Sequence, residues 1–380
     1  MPEPFKNLLG PQVVADIAHH LQRVHAGFDA KRFKALANKG LDALEMKARA
    51  QHICNALEPT LPDDFNTAAS VMERALASMD DIVDADLDGP HGARDDGLAG
   101  WSVWPLTEYV ARHGHADTAR ALAALHAMTQ RFTGEWAIRP FILRSPELTF
   151  STLARWTTDR SAHVRRLVSE GSRPRLPWGM VLKPLVEDPS PTLPLLLALM
   201  DDASPYVRRS VANHLNDIAR DHPHHVEAWL RTHLPGAPPE RQAMLRHASR
   251  TLVKKGHAGV MKAWGIGERF KGEASLVLSP KKVAVGGALQ LALTLRSGSR
   301  KTQRLAIDYA VHHVRAKGDT SAKVFKGWAI DLAPGETRVL GKKHSLKIIT
   351  TRSYHAGKHR IDVLINGQPV TGVDFDLTTG

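Results

Sequence analysis

Apolar residues recur three and four positions apart from Pro11 to about Gly265, as in Val13, Val14, Ile17, Leu21 and Val24, and this spacing predicts a succession of amphipathic α-helices. The breakers agree: Pro11 after Gly10 suits a first helical turn, and Pro59 and Pro62 close a helix that carries Leu41, Leu44, Ala48 and Ile53. From about Glu273 the period becomes two. Leu289, Leu291, Leu293 and Leu295 alternate with smaller or polar residues, as do Leu305, Ile307, Tyr309 and Val311, while Ile361, Val363 and Ile365 run into the turn pair Asn366-Gly367. The chain is therefore expected to be multidomain: an all-α part over residues 1–268 and a small all-β sandwich over 273–380, with a linker from about Gly265 to Gly272.

Within the helical part, Ser161-Ala-His-Val164-Arg165-Arg166-Leu-Val168 matches Ser204-Pro-Tyr-Val207-Arg208-Arg209-Ser-Val211 at an offset of 43 residues. A weaker copy, Leu245-Arg246-His247-Ala248, follows 38 residues further on. Helix pairs repeating at this period predict a HEAT-like solenoid, in which stacked units share one core and leave a concave face. One stretch breaks the pattern. Residues 80–96 hold seven aspartates against a single arginine, too polar to pack, and are expected to form a mobile loop.

Composition sharpens this reading. The 380 residues carry 51 Lys+Arg and 39 Asp+Glu, a formal charge of +12, which points to a polyanionic partner. The β part, 273–380, holds 17 basic against 8 acidic side chains, so +9 lies there and +3 in residues 1–272; without the acidic stretch of −6 the helical part also stands at +9. Cys54 is the only cysteine, which excludes an intramolecular disulfide and a cysteine-based zinc finger. The start MPEPFKNLLG lacks the basic and apolar regions of a signal peptide, and the longest apolar run, around Leu193 to Met200, is far short of a bilayer span.

Arginines crowd the repeats, and Arg166, Arg209 and Arg246 are expected to form a stripe along the groove, suited to a phosphate backbone; one arginine of each Arg-Arg pair is expected to hold the turn instead. Three carboxylates stand in contexts unlike a solvated helix face: Glu135 beside Trp136, Glu170 before the Arg173-Pro174-Arg175 and Trp178 segment, and Asp217 in a polar patch of a repeat helix. An acid in a basic groove repels phosphate, so each is either an arginine-paired structural group or part of a reaction centre. The cluster His222-Pro-His224-His225 reads as a solvated turn, and no metal or cofactor is expected.

Six runs in order, Glu3-Pro-Phe-Lys-Asn, Gly40-Leu-Asp-Ala-Leu-Glu45-Met-Lys47-Ala-Arg49, Trp104-Pro105-Leu-Thr-Glu108-Tyr-Val-Ala-Arg112-His-Gly114, Phe141-Ile-Leu-Arg-Ser-Pro146, Ser169-Glu-Gly-Ser-Arg-Pro-Arg-Leu-Pro-Trp178 and Tyr206-Val-Arg-Arg-Ser-Val-Ala-Asn213-His-Leu-Asn216-Asp217, strongly resemble the AlkC-type branch of the HEAT-like DNA alkylation repair glycosylases. The resemblance covers about residues 1–265. The β part resembles the Ig-like domain of one subset of that branch, through its architecture and the segment Thr350 to Arg360. It implies a monofunctional, monomeric DNA glycosylase of the bacterial cytosol and nucleoid that hydrolyses the N-glycosidic bond of cationic bases such as N3-methyladenine and N3-methylcytosine in duplex DNA, initiating base excision repair without full base flipping. It also implies that Asp217, Glu135 and Glu170 surround the damaged nucleotide, with Trp136 and Trp178 as walls. Arg166, Arg173, Arg209 and Arg246 would then meet phosphates, and the turns at Ser297–Lys301, Lys342–His344 and Arg352–Arg360, including Arg352 and Lys358, would clamp the duplex from the β domain. A non-catalytic nucleic-acid-binding scaffold and a protein-binding solenoid with an acidic partner remain the alternatives.

Overall fold

The computed structural model describes residues 5–78, 94–266, 268–315, 318–348 and 353–378. The expected order holds: helices to Ala258–Ala263, then strands from Gly272–Ser279 onward. Among the described residues no helix is long and apolar enough to cross a membrane. Residues 80–93 of the acidic stretch lie outside them; its last residues are tied down, Arg94 N donating to Gly97 O and Asp96 accepting from Ser78 N at 2.8 Å.

The sequence repeat is written into the hydrogen bonds. Asp159 Oδ1 accepts from Ser161 N, and Asp202 Oδ1 accepts from Ser204 N, each at 2.8 Å. Arg165 Nη1 donates to the carbonyls of Asp159 and Arg160, while Arg208 Nη1 donates to those of Asp202 and Ala203. All these groups are related by the same 43 residues. The first arginine of each pair therefore holds the turn, satisfying carbonyls that the break before the helix leaves without intrahelical donors. Arg165 also grips both oxygens of Asp202, at 2.6 and 2.9 Å, and so joins one repeat to the next. Val164, Leu167 and Val168 of helix Ala162–Gly171 and Val207, Val211 and Leu215 of helix Pro205–Asp221 form the buried seam between them.

One expected helix is divided. Leu41–Ala43 is a 3-10 turn preceded by Gly40 at φ +75°, and the α-helix starts only at Met46. The buried Arg49 explains how the break survives: it donates to the carbonyls of Leu44 and Asp42 and ties them to those of Lys6 and Leu9. Cys54 is buried in the same helix, and burial pushes its thiol up to about 12, which leaves it unreactive.

The β part has eight strands: β1 (Gly272–Ser279), β2 (Lys282–Ala284), β3 (Ala288–Ser297), β4 (Gln303–Val314), β5 (Thr320–Leu332), β6 (Thr337–Ser345), β7 (Gly357–Ile365) and β8 (Gln368–Thr378). They form two sheets, ordered β1-β3-β6 and β2-β8-β7-β4-β5, with the alternating leucines of β3 and the Ile and Val positions of β4 and β7 facing one core. Asn366 (φ 52°) and Gly367 (φ 78°) make the expected two-residue turn between β7 and β8. Lys342–His344 is not a turn but the C-terminal part of β6. Lys342 bonds the carbonyls of Lys326 and Gly327, and His344 is buried against the Tyr309 hydroxyl.

The compact units do not follow the change from helix to strand. One comprises Met1–Asp221 and Pro239–Ala248, the other His222–Pro238 and Ser249–Gly380. Helices Pro223–His233 and Ala258–Ala263 pack on each other in the second unit. There Asn366 Nδ2 donates to Glu268 O at 2.8 Å, and Gly256 and Gly367 meet backbone to backbone: a Cβ on Gly367 would lie 2.3 Å from the Gly256 Cα. Gly367→Ala adds this clash to the roughly 1–2 kcal/mol of a left-handed non-glycine residue. A fall in melting temperature is expected; an unchanged melt would mean that the two backbones separate without loss.

Candidate functional site

The three carboxylates come from three separate places in the first unit. Glu135 lies in the turn between helices Thr118–Thr129 and Arg139–Arg144, Glu170 in the last turn of Ala162–Gly171, and Asp217 in the C-terminal third of Pro205–Asp221. Gly171 lets the first two approach: a Cβ there would stand 2.5 Å from Ile138 Cγ2.

Two guanidinium groups interleave with the acids. Arg166 Nη1 donates to Glu135 Oε2 at 2.8 Å, and its Nη2 stands 3.8 Å from Glu170 Oε1. Arg173 Nη1 donates to that same Glu170 oxygen, and its Nε donates to Asp217 Oδ2 at 2.7 Å. The order Glu135, Arg166, Glu170, Arg173, Asp217 thus alternates in sign along its length, with one acid more than base. Thr133 Oγ1 donates to Glu135 at 2.8 Å and Ser210 Oγ to Glu170 at 2.6 Å. The Glu170, Glu135 and Asp217 side chains are 7%, 10% and 15% exposed, so Asp217 is the most open of the three. Burial acts to raise the Glu170 carboxyl, but the Arg166 and Arg173 charges, with the bonds from Ser210 and Arg173, outweigh it and hold the group below the usual carboxylate range.

Beneath this row lies His214, fully buried, whose Nδ1 donates to Ser169 O at 2.9 Å and whose Nε2 is buried without a hydrogen-bond partner. Burial above all, reinforced by the Arg173 and Arg139 charges, drives its pKa down to about 3, so the ring is neutral at ordinary pH. Next to it Arg139, also fully buried, donates to the carbonyls of Gly171, Arg173, Pro174 and Met180. One side chain therefore fixes both ends of the segment that carries Arg173 and Trp178.

Trp178 is held at φ 62°, a left-handed conformation that costs a non-glycine residue on the order of 1–3 kcal/mol, and it is 55% exposed. Its carbonyl accepts from Lys47 Nζ at 2.9 Å. Trp178 lies parallel to Trp104, with centroids 6.5 Å apart, and Trp104 in turn stacks on Trp136 at 4.4 Å; Phe5, 53% exposed, borders Trp178. Trp136 Nε1 donates to Pro177 O at 3.2 Å. The result is an aromatic platform, open on one face, one residue away from Glu135.

The residues expected from the sequence therefore divide. Glu135, Glu170, Asp217, Arg166 and Arg173 form one network, with Trp136 and Trp178 on the platform beside it. Arg166 and Arg173 are turned to carboxylates, not presented to solvent as phosphate ligands; Arg166 also lies 4.8 Å over the Tyr206 ring. Arg209 and Arg246 are exposed, but they are not equivalent: the 38-residue offset aligns Arg246 with Arg208, and it is His247 that shares a groove of about 430 Å³ with Arg209. In the second unit Lys358 is exposed at the start of β7, Arg360 is paired with Asp362 and Asp374, and Arg352 lies outside the described residues. Sequence reasoning missed Ser210, His214 and the role of Arg139. Ser210 had a signal, since it stands where the first repeat has the core residue Leu167.

The family model described as "Uncharacterised protein YhaZ, C-terminal Ig-like domain" matches residues 273–379. The protein YhaZ of Bacillus subtilis (strain 168) is 33% identical over 379 residues, 98% of this chain and 99% of that protein. A solved structure of the Pseudomonas fluorescens alkylpurine DNA glycosylase AlkC, bound to DNA containing an abasic site analog, is similar at a TM-score of 0.88 and 32% identity, covering 99% of this chain and 100% of that one.

Two substitutions test the network. Arg173→Met leaves Glu170 and Asp217 without their shared cation, and a stability loss of about 3–5 kcal/mol in urea unfolding is expected; a loss under about 1 kcal/mol would mean that water already screens the pair. His214 takes a proton near pH 6.5 when unfolded and near 3 when folded, so stability falls as pH drops through that window. His214→Gln, which retains a donor for Ser169 O, should flatten the decline in melting temperature from pH 7 to 5. An identical slope would assign the decline to other groups.

Proposed function

Since the chain belongs to the AlkC-type family and ends in an Ig-like domain, we propose that it is a DNA glycosylase that removes alkylated bases by hydrolysing their N-glycosidic bonds. The observation that carries this reading is the Glu135, Glu170 and Asp217 row, three acids kept nearly buried beside an exposed aromatic face. A scaffold that only binds phosphate has no use for them, because they weaken its field.

The chemistry fits a cationic substrate. In N3-methyladenine or N3-methylcytosine the base is already positive, so when C1′–N breaks the electron pair returns to the ring and the base leaves neutral, with no general acid required. Charge then appears on the sugar as an oxocarbenium-like centre. We assign Asp217 to stabilise that centre and to take a proton from the water that adds to C1′. Arg173 orients its Oδ2, while Glu170, both of whose oxygens accept hydrogen bonds, supplies field from a fixed position. Glu135 completes the negative wall. Trp178 and Trp136 offer flat faces against the lesion, where a positive base gains from aromatic contact. Phosphate contacts fall to the exposed Arg209 and Arg246, and to Lys358 and Arg352 of the Ig-like domain.

Release of free base from N3-methylated duplex DNA tests the proposal directly. Wild type is expected to release it, and Asp217→Asn to slow release by about 10²-fold or more with DNA affinity largely kept. Absence of release by the wild type would favour a non-catalytic DNA-binding scaffold. An undiminished rate in Asp217→Asn would move the chemical role to Glu135 or Glu170.

A further inference from the structure

In the second unit, His222, His224 and His225 each bring one ring nitrogen to within 4.8 Å of the other two. The arrangement follows from local structure. Pro223 occupies the first position of helix Pro223–His233 and sets the turn, His222 stands at its N-cap, and His225 N donates to His222 O at 3.2 Å, closing the turn and placing these two side chains on one side. His224 and His225 rings lie 4.4 Å apart, and each is 5.8 Å from the His222 ring.

We propose that these three imidazoles bind one divalent transition-metal ion of the borderline, nitrogen-preferring class, with zinc as its representative. Tetrahedral ligation at roughly 2.0–2.1 Å requires donor nitrogens about 3.3–3.4 Å apart. From 4.8 Å or less, modest χ rotations of a trio that includes the exposed His224 ring suffice. Three imidazole nitrogens favour such an ion over the hard cations calcium and magnesium, which prefer oxygen ligands. The ion would pin the first turn of helix Pro223–His233, a structural role.

The test uses the full chain washed free of metal and titrated with Zn²⁺ by calorimetry and with Co²⁺ by its visible absorption. One saturable equivalent is expected. His224→Ala alters an exposed side chain and should weaken binding by about tenfold or more; the double variant His222→Asn, His225→Gln should lose the equivalent, with circular dichroism confirming the fold. The chain has 21 histidines, so the control is decisive. Absence of saturable binding in the wild type, or equal binding in His224→Ala, overturns the site. Loss of binding in His224→Ala alone, with the double variant misfolded, still supports it.

Discussion

The site depends on one constraint: three carboxylates are held together, nearly out of water, by the guanidinium groups of Arg166 and Arg173 between them, with the buried Arg139 close by. Like charges at this spacing repel, and burial strengthens the repulsion, so neither the acids nor the arginines can occupy their places alone. The alternation Glu135, Arg166, Glu170, Arg173, Asp217 resolves this by giving each interior member two opposite neighbours. The ends are acids, and Asp217 is the most open member of the row. The depressed titration of Glu170 has the same origin, for its burial acts to raise it and the two arginines outweigh that effect.

Holding that row requires a rigid backbone where the chain is not helical, and buried arginines provide it. Arg139 collects the carbonyls of the segment from Gly171 to Met180, and Arg49 does the same for the broken helix near Leu44. Arg165 and Arg208 serve the turns before the repeat helices. In each case a planar fork of donors replaces the amides that a continuous helix would supply. The basic excess of the chain is thus partly internal. Some of its charge is spent on carbonyls and carboxylates and never faces a polyanion.

Much of this was legible in the chain itself. Periods of 3.6 and 2 separate helix from strand because each periodicity buries one face, and Asn366-Gly367 marks its hairpin because few residue pairs tolerate two positive φ values. The 43-residue repeat is local hardware: Asp159, Ser161 and Arg165 bond within six residues of one another, so their copies carry the same sequence. The three acids were recognisable by their neighbours and by family resemblance. The turn assigned to Lys342–His344 failed because lysines also occur in strands, where Lys342 finds the carbonyls of Lys326 and Gly327.

Sequence alone determined the two kinds of architecture, the repeat and the candidate acids, since each rests on residues near one another along the chain. Only the tertiary structure decided that the first arginine of each pair holds the turn, that Arg166 meets Glu135, that Arg173 links Glu170 to an aspartate 44 residues away, and that Trp178 stands exposed at a positive φ. It also decided that helix Pro223–His233 groups with the strands and not with its sequence neighbours. The reason is the same throughout: an ion pair or a packed face is set by distance in space, and a guanidinium on a helix has no preference, until the chain has folded, between a carbonyl, a carboxylate and a phosphate.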